Sequence, residues 1–391
     1  MSIETTYPAL RAGPRRDGAI QAAVSAKGAV AWSVDLATPD RRPPRFLLVW
    51  EGNVVVETPA GLTVYSREGK RLWDRRKQEG SAVAVGNALL YHENADCLLD
   101  AADLKGKLAV KDAELPGVAN DDFGVLALWP REKDFLMVAT YGGKPPGQDP
   151  QVIVRRSLYG QRICEWGYGI SGVQSLPPLF IPEKELMLLA FDGVLPLDIK
   201  TQAQDRVVTQ EAPPEQFPQK GGPDVITRRT PDVPGLKLPV DRPVDWCADP
   251  QGDLLVLGHQ GEDKALVCMS LVGQEKWRWV DRGASDDWAA DQPPVRGAGR
   301  RVFALTSRRV VAIEDGKLAW QYEFKDASPH SASSAADGSL LVTAGKSLVH
   351  LDPAGKPLFT LPLDQDILTP PVVDAQGGVY VATASRLVKV R

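Results

Sequence analysis

Residues 300–320 read RRVFALTSRRVVAIEDGKLAW, and residues 347–359 read SLVHLDPAGKPLF. In each phrase a run that alternates apolar and polar residues meets a short turn, and the chain returns through a second run with an aromatic residue four positions after the turn glycine. Period-two alternation marks a half-buried strand. A hairpin loop of two to four residues needs a position with positive φ, which glycine supplies without steric cost. Each phrase is therefore a hairpin. Two more strand-like runs separated by turn signals precede each one, as in PPVRGAGRRVFAL (293–305) and SASSAADGSLLVTAG (331–345). The unit is a four-stranded meander of about 40 residues.

The phrase recurs along the chain. Clear copies run from Gly69 to Trp73 (GKRLW), Gly273 to Trp277 (GQEKW), Gly316 to Trp320 (GKLAW) and Gly355 to Phe359 (GKPLF). Gly106 to Val110 (GKLAV) lacks the ring, Gly160 to Cys164 (GQRIC) carries its tryptophan late at Trp166, and Lys200 to Arg206 (KTQAQDR) has lost the glycine. A first copy, Gly28 to Trp32 (GAVAW), stands alone near the N-terminus. One meander cannot bury both of its faces, so it needs a neighbour on each side, and a ring of such units leaves no long open edge. Residues 368–391, LTPPVVDAQGGVYVATASRLVKVR, supply three strands and stop where the glycine turn and tryptophan strand should follow. The missing strand is GAVAWSVDL. The expected fold is all-β: a β-propeller of four-stranded antiparallel blades, closed by an N-terminal strand that completes the C-terminal blade. Eight blades are counted, or seven if the unit at Lys200 is misread. Residues 1–27 are expected to form a flexible tail, and residues 28–391 one propeller domain with a long inserted loop at 210–242.

At LYGQRICEW, LVGQEKW, AIEDGKLAW and LDPAGKPLF the sequence resembles the quinoprotein-type (PQQ-like) propeller repeat, whose signature is a strand, an Asp-x-x-x-Gly-Lys turn and a tryptophan strand. The resemblance covers residues from about 28 to 391 and implies fold more than function. It admits quinone-dependent alcohol dehydrogenases, outer-membrane assembly scaffold lipoproteins and cytoplasmic bacterial propellers. Dehydrogenases of this kind are implied to need export, an oxygen-ligated calcium-type ion at the ring centre and often adjacent cysteines against the quinone. This sequence departs from that pattern in its N-terminus, MSIETTYPALRAGPRRDG, which has no apolar leader core, and in its separated cysteines.

The remaining chemistry is sparse. Cys97, Cys164, Cys247 and Cys268 lie in or beside apolar runs without C-x-x-C spacing and read as buried thiols in a reducing compartment. His92, His259, His330 and His350 are too scattered for an H-x-H or H-x-x-x-H metal site. YGGKPPGQ and QKGGPD lack the spacing of a phosphate loop. With 46 basic and 50 acidic residues interspersed and a net charge of -4, no basic stripe recommends nucleic acid, and no stretch approaches the roughly 18 apolar residues of a membrane span. These readings lead to an expectation of a non-enzyme: a cytoplasmic, non-catalytic protein-interaction scaffold in a bacterial assembly, with protein partners, no nucleic acid, no membrane, no cofactor and no metal. A quinone- or sugar-linked oxidoreductase and a small-ligand-binding propeller are the alternatives.

Among the ten tryptophans, Trp32, Trp73, Trp166, Trp277 and Trp320, with Phe359, hold the repeat position and read as packing between blades. Trp129 and Trp246 fall at strand ends and read as core. Trp288, in RGASDDWAADQPP, reads either as an exposed anchor for a partner or as a ring folded back on its own blade. With strands a to d running outward from the channel, b–c turns and d–a linkers share one face of the ring, and a–b and c–d turns the other. On that sorting YGGKPPGQDP (Tyr141 to Pro150) is a b–c loop, and Gln210 to Arg242 and the Trp288 segment are d–a linkers, so all three project from one face. Trp288, Phe217, Arg228, Arg229 and Tyr141 are the expected partner-binding residues.

Overall fold

We describe the chain from a computed structural model. It describes residues 18–36 and 42–76 apart from 21, 26 and 59–60, the strands and adjoining turns of the stretch 83–198 together with residue 111, and residues 236–391 apart from 284 and 291. Eight antiparallel sheets are present among the described residues. Strands a to d of sheet 1 are Phe46–Trp50, Asn53–Thr58, Gly61–Tyr65 and Arg71–Arg76, and those of sheet 2 are Val83–Val85, Ala88–His92, Leu99–Asp103 and Leu108–Lys111. Sheet 3 comprises Phe123–Pro130, Phe135–Tyr141, Gln151–Leu158 and Gln161–Gly169, and sheet 4 has Leu176–Ile181, Leu186–Ala190 and Val194–Asp198. Sheet 5 runs Arg242–Ala248, Leu254–Gln260, Asp263–Met269 and Glu275–Asp281, and sheet 6 runs Val295–Arg296, Arg301–Leu305, Arg309–Glu314 and Lys317–Glu323. Sheet 7 is Pro329–Ser334, Leu340–Ala344, Ser347–Leu351 and Pro357–Pro362. Sheet 8 joins Val372–Val373, Val379–Ala382 and Arg386–Val390 to an outer strand from the other end of the chain, Val30–Asp35.

Among the described side chains the a, b and c strands are almost wholly buried while the d strands alternate exposed and half-buried residues, so the sheets stand edge-on to a common axis. Inner strands of sheets 1 and 2, 2 and 3, 3 and 4, 4 and 5, 6 and 7, and 8 and 1 touch. Shared apolar clusters join sheet 5 to sheet 6 through Cys247, Leu266 and Val302, and sheet 7 to sheet 8 through Leu341, Leu348 and Tyr380. The contacts return to their start, and the fold is a closed β-propeller. The clasp is an antiparallel ladder from Val30↔Val390 to Asp35↔Arg386, extended by reciprocal hydrogen bonds between Ala29 and Arg391.

The repeat has one physical cause. Four turn glycines are covered by a d-strand ring of the preceding sheet, Gly69 by Trp32, Gly106 by Trp73, Gly355 by Trp320 and Gly28 by Phe359, and Gly316 lies against the Cβ of Trp277 and the backbone of Arg278. At Gly355 φ is +80°, and a Cβ would meet Trp320 Cδ2 at 2.5 Å, so glycine is required both by the turn and by the ring above it. The indole N–H groups of Trp32, Trp73 and Trp320 donate to the carbonyls of Arg67, Leu104 and Pro353 at 3.0, 3.1 and 3.0 Å, each two residues before the covered glycine. The turns are themselves tied by side chains: Asp103 Oδ1 accepts from the N–H groups of Lys105 and Lys107, and Asp352 Oδ1 from those of Ala354 and Lys356. Trp166 lies in its d strand opposite Val154, with its side chain outside the described residues.

One expectation about the chain's organisation is corrected. Of the residues assigned to a flexible tail, 18–20 and 22–25 are docked: Ala19 bridges Ser334 in parallel, and Ile20 (3% exposed) and Ala22 join the core beside sheets 8 and 1. The inner edge of strand a carries unpaired backbone groups that a short segment of small residues can satisfy, which composition alone does not reveal. Sheet 4 is described with three strands. Gly273, the c–d turn glycine of sheet 5, is covered by Leu236, at 3.0 Å from a Cβ placed there. Leu236, Leu238 and Val240 alternate with Lys237 and Pro239 and pack on the core between sheets 4 and 5. Residues 236–240 therefore stand over the Gly273 turn as the d strands of other sheets stand over their turns. KTQAQDR, read as the d-strand phrase of this unit, lies outside the described residues.

Candidate interaction face

Asp198 ends the c strand of sheet 4, and Leu236 stands beside the Gly273 turn of sheet 5, at the end of the ring that carries the a–b and c–d turns. Of the stretch expected as a d–a linker, Gln210 to Arg242, residues 210–235 lie outside the described residues, while residues 236–242 are built into the fold. Phe217, Arg228 and Arg229 lie outside the described residues. Tyr141 ends a b strand, paired with Phe123 and Gln151, and its side chain is not among those described.

Trp288 is corrected as an exposed anchor. It is 6% exposed, bridges Thr306, donates its indole N–H to Gly258 O at 2.8 Å, and packs against Trp279 with ring centroids 6.4 Å apart. Its segment is held by buried charges that the neighbouring sequence does not contain. Lys264 Nζ lies 3.0 Å from Asp286 Oδ1 and 3.3 Å from Asp281 Oδ2, while Arg309 Nη2 reaches Asp281 at 2.5 Å and Asp286 at 3.1 Å. Thr306 donates to Asp286 Oδ2. Burial alone would raise the Asp286 carboxyl, but hydrogen bonds from Arg309, Thr306 and Lys264 outweigh it and hold the group well below the ordinary carboxylate range. The d–a linker between sheets 5 and 6 is thus a packed strap and not a projecting loop.

On the opposite face a second cluster sits beside the clasp. Asp374 Oδ2 accepts from Tyr380 Oη at 2.7 Å and from Lys389 Nζ at 3.0 Å, and Lys389 Nζ lies 4.9 Å from the Tyr380 ring centroid. Burial raises the Asp374 carboxyl, and the bonds from Tyr380, Lys389 and the Gly378 N–H bring it below its usual value, while burial and the same carboxylate push the Tyr380 phenol up. The same face carries most of the chain's stranded apolar surface. Val272 (86% exposed) and Leu104 stand in c–d turns, and Leu72, Leu318, Leu358 and Val30 at the start of d strands, six of the eight most exposed large apolar residues among those described.

Residues 306–390 match the family described as Outer membrane protein assembly factor BamB. No curated protein matches the sequence. Among solved structures, the quinohemoprotein alcohol dehydrogenase ADHIIG from Pseudomonas putida HK5 aligns over 99% of this chain and 80% of its own, with a TM-score of 0.63 at 9% identity. The quinohemoprotein alcohol dehydrogenase from Comamonas testosteroni aligns over the same shares with a TM-score of 0.57 at 11% identity. Identities this low carry the fold alone. A calcium-type ion takes six to eight oxygen ligands, and no group of three or more His, Cys, Asp or Glu converges among the described residues. Asp245, on an inner strand, turns Oδ1 onto the Trp246 N–H at 2.8 Å. Cys247 and Cys268 are buried thiols separated by Leu255, and burial pushes Cys268 up to about 12. No helix among the described residues is long and apolar enough to cross a membrane. The chain has the fold of the quinoprotein propellers, and its residues 306–390 carry their PQQ-like repeat.

Proposed function

We propose that the chain is a non-catalytic protein-interaction scaffold that holds a protein partner at the rim of the face formed by its a–b and c–d turns. The observation that supports this reading is the exposed apolar set at that rim, Val272, Leu104, Leu72, Leu318, Leu358 and Val30. Single exposed leucines are ordinary. Their gathering at one end of the strands is what separates this rim from the opposite one, where Val244 and Leu368 alone are comparably exposed among the described residues. The balance of 46 basic against 50 acidic residues supports a protein partner over nucleic acid.

The test compares two doubly substituted chains, Val272→Asp with Leu358→Asp, and Val244→Asp with Leu368→Asp, against wild type in quantitative affinity capture. All four side chains are exposed, so each pair should melt close to wild type. The rim pair should lose by at least tenfold a set of proteins that the other pair retains. Retention of every captured protein by the rim pair, with loss by the other, would move the interaction to the opposite face.

A further inference from the structure

Where the channel opens on the a–b face, the chain binds a piece of itself as one protein binds another's strand. Gly18 O accepts from Ser334 N at 3.1 Å, Ile20 N donates to Ser334 O at 2.8 Å, and Ala22 O accepts from Ala336 N at 3.1 Å. Further on, Ser25 N donates to Gly377 O at 3.0 Å and Ser25 Oγ to Gln376 O at 2.8 Å. The segment crosses three successive sheets, with Gly18 against Val295 of sheet 6, Ala19 on Ser334 of sheet 7 and Ser25 on the a–b turn of sheet 8. Its pairing with strand a is parallel, unlike every ladder within the sheets.

This strap is separate from the clasp. Ring closure rests on Val30–Asp35 with Arg386–Val390 and on the Ala29–Arg391 bonds, none of which involves residues 18–25. The segment can leave without opening the ring. Departure strips partners from the amides of Ser334 and Ala336, which demand replacement by water or by another strand. The seat is also selective. Gly18 has φ +62°, and a Cβ there would lie 3.2 and 3.3 Å from the two γ carbons of Val295, so a branched residue is excluded at that position. Two positions on, Ile20 is 3% exposed, in a pocket that takes a large aliphatic chain.

We propose that the inner edge of Pro329–Ser334, at the channel mouth, is a peptide-accepting site, occupied in cis by residues 18–25 and open in trans to an extended partner segment of the pattern glycine, small residue, large aliphatic. Recognition is by strand addition: the backbone supplies affinity, and the Gly18 and Ile20 seats supply specificity. The cis segment competes at the millimolar effective concentration of a short tether, so a partner enters only where the strap is weakened or outcompeted. The site shares a face with the apolar rim but none of its residues, so partner capture by the rim and peptide binding fail or succeed independently.

The experiment uses the full chain carrying Ile20→Asp, which expels the strap while leaving the clasp intact, and a second chain that begins at residue 27. The probe is a fluorescein-labelled synthetic peptide of residues 14–25, read by anisotropy. Both variants should bind it at least tenfold more tightly than wild type, and a Gly18→Val peptide should lose at least tenfold. Hydrogen exchange at Ser334 and Ala336 should quicken in both variants and slow again with peptide. If a cooperatively melting variant with quickened exchange binds no more tightly than wild type, or takes the Gly18→Val peptide equally well, the site is not a peptide acceptor. If Ile20→Asp leaves exchange at Ser334 and Ala336 unchanged, the strap is not displaceable and the proposal fails. Concentration-dependent dimerisation of the variants would assign the seat to a second copy of this chain and overturn the partner assignment.

Discussion

The packing of each tryptophan on the next turn glycine makes a quantitative demand on a pair of substitutions. In Gly355→Ala the new methyl suffers twice. Holding an L-residue at φ +80° costs about 1–2 kcal/mol. Its Cβ would also stand 2.5 Å from Trp320 Cδ2, where carbon atoms rest at about 3.5–4.0 Å, so the ring must move by about 1 Å. Overpacking of that size costs about 1–3 kcal/mol. Together Gly355→Ala should destabilise by about 2–5 kcal/mol. Trp320→Ala removes a half-buried ring in contact with Phe303 (centroids 5.6 Å apart) and the bond to Pro353 O, which places it near the lower end of the usual 3–5 kcal/mol for a large aromatic. With the ring gone the methyl loses its three nearest clashes, so the double variant should be more stable than the sum of the two losses by about 1–3 kcal/mol. Gly299→Ala isolates the backbone part: φ is +67° and nothing lies within 4 Å of the added Cβ, so about 1–2 kcal/mol is expected. Urea unfolding followed by tryptophan fluorescence and by far-ultraviolet circular dichroism gives the energies where the two transitions coincide. A cycle that is additive within about 0.5 kcal/mol would refute the claim that the ring sits on the glycine.

Two further outcomes follow from the charge clusters and their neighbours. Trp288→Ala should cost about 3–5 kcal/mol, as a core aromatic does, whereas Val272→Ala should stay within about 0.5 kcal/mol; equal and small shifts in urea midpoint would return Trp288 to the surface. Acid should weaken the fold in two windows: His330 and His350, held below the ordinary imidazole value by burial, contribute stability that is complete above about pH 6.5 and is lost as pH falls toward their folded values, and Asp286 and Asp374, held below the ordinary carboxylate value, contribute stability present above about pH 4 and lost below it. His350→Leu should flatten the upper window and Asp374→Asn the lower one in melting temperature measured against pH, and no change in either profile would discard the assignment.

The repeat was legible because its cause is local in sequence. Glycine and tryptophan four residues apart belong to one hairpin, even though the ring of Trp320 acts on Gly355 of the next sheet and not on Gly316. Period-two runs fixed the strands, and the orphan phrase GAVAW identified the clasp, since a strand without its own hairpin has to pair elsewhere. What was not legible is held by contacts distant along the chain. DDW looked like a polar loop because the charges that neutralise Asp286, Lys264 and Arg309, stand 22 and 23 residues away at the starts of two c strands. Residues 18–25 looked like a tail because a short parallel bridge to Ser334 leaves no periodic trace in GAIQAAVS.

The long connection shows how a single strand governs a functional reading of a ring. Every strand crosses the molecule once, so the face on which a loop emerges depends on the parity of the strands counted before it. Assigning the d strand of sheet 4 to KTQAQDR put the long segment after four strands, on the d–a face. Leu236 over Gly273 takes the place of a d-strand residue, and a d strand at 236–240 would put the connection before it after three strands. The phrase that marks a d strand elsewhere is glycine and an aromatic ring, and LKLPV offers neither. Its signal is alternation alone, with Leu236 standing where Trp32, Trp73, Trp277 and Trp320 stand in their own sheets. A leucine suffices there because a d-strand side chain has only to cover the next turn glycine, and an aliphatic chain in van der Waals contact excludes water from it as a ring does. Loop placement in a degenerate propeller is therefore better argued from what covers each turn glycine than from where the signature phrase recurs, because the glycine's partner reports the strand position even where the sequence motif has decayed.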